Sequence, residues 1–128
     1  MPDDFRPFVS ADVVDGKSLA ESIQKKVAEG VSEITSRGVK PHLAVVIAGD
    51  DQASHVYVRN KERACQKCGI ESTKIEMPAS SNLDEIIEVV EGLNSDSSVH
   101  GILVQSPAPD GVDELQIASS ILPQKDVD

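Results

Sequence analysis

Leu43-Ala44-Val45-Val46-Ile47-Ala48 is a continuous apolar run that ends at Gly49. An unbroken run, rather than alternating apolar and polar residues, is typical of a strand buried on both faces in a parallel sheet. Neighbouring parallel strands require long crossover connections, which are usually helices. The sequence on either side of this run therefore decides whether the chain forms an α/β domain.

Helical and strand patterns alternate on both sides of this run. Ser18-Leu19-Ala20-Glu21 has the form of a helix capping box, and Gly38 stands where a glycine would end that helix. The apolar stripe of this first helix consists of Leu19, Ile23, Val27, Val31 and Ile34. Further helices are predicted over about 53–68, 83–93 and 113–122, and further strands over 71–77 and 99–105. The alternation predicts a three-layer α/β fold, a mostly parallel sheet with helices on both faces.

Composition limits both the architecture and the function. A chain of 128 residues suits one domain, here 1–128, with residues 1–10 as an arm and 13–16 as a short strand or turn. The net charge of −10 argues against binding to nucleic acid or to anionic membranes, since a protein needs a basic face to bind either of them. The start of the chain lacks signal-peptide features, and two cysteines do not make a disulfide scaffold. These features predict a protein of a reducing compartment that binds a small molecule.

The ends of two predicted strands mark the expected binding site. Ligands of open parallel sheets bind outside the carboxyl ends of the strands. Those ends are Gly49-Asp50-Asp51 and Gln105-Ser106-Pro107, and the first leads into the helix that begins near Ala53. The first turns of that helix should therefore face the same crevice.

This helix presents a lysine on the side that is expected to pack. With about 100° per residue, Ser54, Lys61, Ala64 and Cys68 fall within about 60° of Tyr57. Burial disfavours the charged form of an amine, so Lys61 would exchange protons near neutral pH. A glutamine at position 105 would hold the amine without pairing its charge. From geometry alone, however, the favoured interpretations are that Lys61 extends into water and that Gln105 faces solvent.

Other motifs give weaker signals. Cys65-Gln66-Lys67-Cys68 has the spacing of a redox pair, but it lies near the end of a helix, where thiolates gain little. The three histidines lack the spacing of zinc ligands, so no metal site is predicted. No dinucleotide fingerprint or phosphate loop is present in the sequence.

The chain resembles a known family almost from end to end. Four segments carry the resemblance: Leu43 to Gly49, Ala53 to Lys61, His100 to Pro109, and Lys125 to Asp128. A Tyr-x-x-x-Lys helix followed by Val-Gln-x-Pro and Lys-Asp-Val-Asp is highly specific. The sequence is thus similar to the catalytic domain of methylenetetrahydrofolate dehydrogenase/methenyltetrahydrofolate cyclohydrolase, the FolD family.

The resemblance implies a function and a set of site residues. The family oxidises 5,10-methylenetetrahydrofolate with NADP and hydrolyses the methenyl product to 10-formyltetrahydrofolate. By this likeness, Lys61 is the catalytic lysine and Gln105 is its hydrogen-bonding partner. The implied substrate-binding residues are Tyr57, which stacks on the folate, Asp128, which binds the pterin edge, and Ser54, Val104, Ser106 and Pro107.

The resemblance also implies what lies outside these residues. No residue of the sequence can cradle NADP phosphates, so an NADP-binding domain is expected after residue 128, and these residues alone should not transfer hydride. Family likeness implies a cytoplasmic homodimer of one-carbon metabolism and purine biosynthesis. Ser106 and Ala108 replace bulkier apolar residues of the family, and this departure is expected to loosen the pocket wall or to shift the substrate preference. An alternative is a non-catalytic folate-binding or regulatory module.

Overall fold

The computed structural model describes residues 11–128, so the arm predicted for residues 1–10 lies outside the described residues. Four helices and three strands alternate along this part of the chain. None of these helices combines the length and the apolar character that a membrane crossing requires. The elements are α1 (Gly16–Ser36), β1 (His42–Ala48), α2 (Gln52–Cys68), β2 (Glu71–Met77), α3 (Leu83–Ser95), β3 (Gly101–Val104) and α4 (Glu114–Ser120).

The three strands form one parallel sheet with the order β2-β1-β3. In the central strand, β1, Val46 is in register with Ile75 of β2 and with Val104 of β3. The segment 44–48 of β1 is buried throughout, as its continuous apolar sequence predicts. The α/β fold with a parallel sheet is confirmed, and the described strands contain no antiparallel pair.

Hydrophobic clusters on the two faces of the sheet complete the three layers. On one face, Val45 and Ile47 of β1 pack with Val58 of α2. On the other face, Ala44, Val46 and Ala48 belong to a larger cluster with α3 and α4. Because alternate residues of a strand point to opposite faces, one apolar run supplies both cores. The members of the larger cluster from outside β1 are Ile86, Val90, Leu93, Val99, Ile102, Ile117 and Ile121.

Helix α1 differs from the prediction at its start and along its stripe. Its N-cap is Asp15, whose side chain accepts a hydrogen bond from the Ser18 amide, so the capping box predicted at Ser18 is wrong. Residues 11–15 form no strand. The helix ends as predicted, with Gly38 at a φ of 94°. Of the predicted stripe, Val31 is buried where α1 packs against α2, and the other four residues are exposed.

The ends of β3 and α4 are shorter than predicted. Strand β3 covers 101–104 instead of 99–105, which makes Gln105 the first residue after the strand. The Gln105 amide still donates to Val46 O at 2.8 Å, so the backbone at Gln105 stays attached to β1. Asp113 is the N-cap of α4 and not its first helical residue.

Candidate active site

Strands β1 and β3 end at the same edge of the sheet, and α2 begins there. Asp51 caps α2 by accepting a hydrogen bond from the Ser54 amide at 2.9 Å. The buried Ser54 hydroxyl lies 2.8 Å from Asp51 Oδ2 and 3.0 Å from Ser106 O, so its single proton serves one acceptor at a time. Ser54 therefore connects the start of α2 to the loop after β3, as the crevice prediction requires.

The hydrogen bonds at this cap also favour the charged form of Asp51. Bonds from the Ser54 side chain and amide lower the pKa of the Asp51 carboxyl below its ordinary value. A carboxylate at a helix N-terminus is also stabilised by the unpaired amides and the helix dipole. The N-cap of α2 thus carries a negative charge at the edge of the candidate site.

The structure brings the two predicted catalytic side chains together. Lys61 Nζ donates to Gln105 Oε1 at 2.6 Å, although the residues are 44 positions apart. The Gln105 amide nitrogen donates to Ser106 O at 3.3 Å, which orients the amide with its oxygen toward the lysine. Lys61 is half-buried, so it does not extend freely into solvent. A neutral amide orients the amine without supplying a counter-charge.

Tyr57 lies on a different part of α2 from the one predicted. Its side chain is 56% exposed, and the packed face of the helix is centred on Ser54, Val58 and Cys65. The prediction that the packed arc is centred on Tyr57 is therefore wrong by about one residue of helical rotation. Lys61 borders the packed face, whereas the Tyr57 ring is open to a ligand one turn away.

A cavity of about 380 Å³ lies between the end of β3 and helix α4. Four of the predicted site residues line it, and they are Val104, Gln105, Ser106 and Asp128. Ser54, Tyr57, Lys61 and Pro107 are not among its lining residues. Gln105 joins the two groups, because it lines the cavity and accepts from Lys61. The remaining lining residues are Ala108, Glu114, Leu115, Ile117, Ala118, Ile121 and Asp126.

Two carboxylates of this cavity were missed by the sequence analysis. Glu114 Oε1 accepts from the Ala108 amide at 2.7 Å, and Asp126 Oδ1 accepts from the Asp128 amide at 3.1 Å. The available signals were the position of Glu114 in the first turn of α4, where acidic residues are favoured, and the position of Asp126 in the Lys-Asp-Val-Asp motif. Within residues 11–128, no hydrogen bond uses the Asp128 carboxylate, which leaves it available to a ligand.

The cysteines lack the features of a redox pair. Cys65 and Cys68 are unpaired and buried, and burial raises the pKa of the Cys65 thiol, with smaller contributions from Cys68 and Glu62. A raised pKa disfavours the reactive thiolate. In the described part of the chain, no group of three or more His, Cys, Asp or Glu side chains is placed to hold a metal ion.

Comparisons with known proteins identify relatives over nearly the whole chain. Residues 14–128 match the family described as tetrahydrofolate dehydrogenase/cyclohydrolase, catalytic domain. The bifunctional protein FolD of Moorella thermoacetica is 45% identical over 92% of this chain, which spans 42% of that relative. The FolD structure from Campylobacter jejuni superposes with a TM-score of 0.87 at 40% identity, covering 89% of this chain and 40% of that one.

A third relative was solved with bound molecules. The Trypanosoma brucei methylenetetrahydrofolate dehydrogenase-cyclohydrolase, in complex with NADP cofactor and inhibitor, has a TM-score of 0.85 at 36% identity. The match covers 91% of this chain and 40% of that protein. The chain therefore corresponds to about two fifths of the length of the relatives that it matches.

Proposed function

Because the chain belongs to the tetrahydrofolate dehydrogenase/cyclohydrolase family, we propose that it carries the catalytic folate site of such a bifunctional enzyme. The reactions are NADP-dependent oxidation of 5,10-methylenetetrahydrofolate and hydrolysis of 5,10-methenyltetrahydrofolate to 10-formyltetrahydrofolate. The observation that carries the proposal is the 2.6 Å hydrogen bond between Lys61 and Gln105 beside the cavity. The solved relatives bear the names of dehydrogenase and cyclohydrolase enzymes, which favours a catalytic function over a non-catalytic module.

Lys61 supplies the proton transfer of the hydrolysis. Water attacks the carbon between N5 and N10 of the methenyl cation, and the neutral amine of Lys61 accepts a proton from that water. The hydroxyl group of the adduct then loses its proton and becomes the formyl carbonyl, and the bond from this carbon to N5 breaks. N5 takes the proton held by Lys61 and becomes a secondary amine, while the formyl group stays on N10. One water is consumed and one proton is released. Gln105 keeps the lysine nitrogen in place through Oε1 without pairing its charge.

The other site residues bind and orient the folate. The open ring of Tyr57 offers a stacking surface one helical turn from Lys61. The Asp128 carboxylate accepts hydrogen bonds from the N–H groups on the polar edge of the pterin. Val104 and Ser106 line the cavity at the end of β3, and Pro107 follows in the same loop. Ser54 holds this loop through Ser106 O.

The start of helix α2 does not fit the phosphates of NADP. After β1 there is one glycine, Gly49, and then Asp50 and Asp51 at the start of α2. The charged Asp51 carboxylate already accepts from the Ser54 amide, which would otherwise be open to a phosphate, and it repels an anion. We therefore assign NADP binding to the part of the relatives that this chain does not match. A cytoplasmic homodimer acting in one-carbon metabolism and purine biosynthesis completes the proposal.

The proposal is tested by following the absorbance of 5,10-methenyltetrahydrofolate in the presence of the intact protein. We expect hydrolysis above the buffer rate and saturation with substrate. A calorimetric titration with tetrahydrofolate distinguishes the alternatives. Binding without hydrolysis would indicate the non-catalytic module, and the absence of both would overturn the proposal.

Ser106 and Ala108 are small residues of the loop after β3, and both line the cavity. We therefore also expect the site to tolerate folates that carry bulkier substituents next to this loop.

A further inference from the structure

The side chain of Lys125 ends at the carboxyl terminus of helix α3. Its ammonium donates to three backbone carbonyls, at 3.0 Å to Leu93 O, 2.9 Å to Asn94 O and 2.7 Å to Asp96 O. The last carbonyls of a helix lack partners within the helix, and an ammonium has three N–H donors. The positive charge also lies at the negative end of the helix dipole. Lys125 is thus a cap of α3 supplied from about 30 residues further along the chain.

The backbone of the same residue is attached to the sheet. The Ile102 amide of β3 donates to Lys125 O at 2.7 Å, and Asp126 forms an isolated parallel bridge with Ile102. The Asn94 side chain holds the preceding segment, donating to Ser120 O at 2.8 Å and accepting from the Leu122 amide at 3.1 Å. The segment after α4 is therefore fixed to both α3 and β3.

This attachment determines where two cavity carboxylates lie. Asp126 and Asp128 line the cavity directly after Lys125. Val127 between them packs over Gly101, where an added Cβ would lie only 2.9 Å from Val127 Cγ1. The segment 125–128 is thus held by the Lys125 side chain at the end of α3, by the Ile102 amide on Lys125 O, and by the Val127 side chain on Gly101.

We propose that Lys125 is a positioning residue that sets the Asp128 carboxylate against the folate. The inference rests on the proposed function, since it names the role of a residue in that site. Loss of the three hydrogen bonds releases the segment from α3, and the carboxylate then loses its alignment with the pterin. A displacement of about 1 Å of a group that recognises the ligand can weaken that recognition by about tenfold or more.

A double-mutant cycle on tetrahydrofolate binding tests this role. Lys125→Met keeps the length and removes the donors, and Asp128→Asn removes the charge at the cavity. We expect Lys125→Met to weaken binding about tenfold in the natural background. In the Asp128→Asn background we expect little further loss. The matched control is Lys26→Met on the exposed side of α1, which should bind like the natural protein.

Two further variants separate positioning from general loss of structure. Lys125→Arg retains N–H donors and should recover part of the affinity, with melting curves showing that each variant is folded. Gly101→Ala displaces Val127 without touching Lys125, and it should weaken binding through the same carboxylate. Equal losses for Lys125→Met in both backgrounds, or none in either, would overturn the inference.

Hydrogen exchange at the Ile102 amide gives a readout that does not depend on the ligand. Faster exchange at Ile102 in the folded Lys125→Met protein would support the attachment, since this amide donates to Lys125 O. Unchanged exchange there would contradict it. If the natural protein fails to bind tetrahydrofolate while exchange at Ile102 rises in the variant, the proposed function fails and the anchoring of the segment stands.

Discussion

Lys61 Nζ and Gln105 Oε1 lie 2.6 Å apart, joining the middle of helix α2 to the first residue after strand β3. Helix α2 packs on the sheet through Val58, and Gln105 stays attached to β1 through its amide. The sheet therefore fixes the distance between the amine and the amide. This arrangement holds a half-buried lysine with a neutral acceptor.

Replacement of the neutral acceptor by a charged one should move the pH dependence of hydrolysis. In Gln105→Glu a carboxylate faces Lys61 and favours the ammonium form, so the neutral amine appears only at higher pH. We expect the activity curve to shift to higher pH, measured as kcat against pH. Gln66→Glu adds the same charge on the exposed side of α2 and serves as the control. An unshifted curve for Gln105→Glu would mean that the amide does not act on the lysine.

The end of α2 should be sensitive to substitution of its glycine. Gly69 has a φ of 81°, and a Cβ there would lie 3.4 Å from Val31 Cγ1 of α1. We expect Gly69→Ala to lower the free energy of unfolding by about 1–2 kcal/mol, because L-residues pay that cost in the left-handed region. Gly92→Ala lies inside α3 with open space around it, and alanine is there the better helix former. Chemical denaturation of both variants checks this, and equal stabilities would contradict it.

The cap of α2 should contribute stability that depends on pH. The folded pKa of Asp51 is lowered by the hydrogen bonds from Ser54, so its contribution is complete above the unfolded value of about 4. As pH falls through the folded pKa, the carboxylate is protonated and this stability is lost. Asp51→Asn keeps an acceptor but does not titrate. We expect its melting temperature to fall less steeply than that of the natural protein as the pH is lowered below about 4.

Asp96 and Asp113 also have lowered pKa values, caused first by hydrogen bonds from the side chains of Ser98 and Gln116 respectively. They remain in the Asp51→Asn protein, so part of the acid dependence should persist. If the melting temperatures of the two proteins fall in parallel as the pH is lowered, the Asp51 cap makes no pH-dependent contribution to stability.

Local patterns account for most of the fold. The continuous apolar run predicted the buried central strand, and its two faces provide both cores because strand residues alternate sides. The predicted start of α1 was wrong because Asp15 and Ser18 are both residue types that favour an N-cap. The sequence alone does not choose between two N-cap candidates that lie three residues apart. The predicted range of β3 was too long because the ends of the strand are fixed by its pairing with β1 and not by the length of the apolar run.

The candidate site was predictable in part. The rule for strand ends located Gln105 and the start of α2, and the helical spacing placed Lys61 near the packed face. The packed face of α2 is rotated relative to the prediction. Ser54 faces the loop after β3, to which its hydroxyl is hydrogen-bonded, and Val58 packs on the sheet. The contacts of Lys125 could not be foreseen, since its partners are backbone carbonyls of a distant helix that any sequence presents.

The most direct test of the account is the rate of 5,10-methenyltetrahydrofolate hydrolysis by the intact protein carrying Lys61→Met. Loss of the proton acceptor should lower kcat by about 100-fold or more, while tetrahydrofolate still binds. Lys67→Met, on the exposed last turn of the same helix, should retain the natural rate. A Lys61→Met protein that hydrolyses the substrate at the natural rate would contradict the assignment of the reaction to this amine.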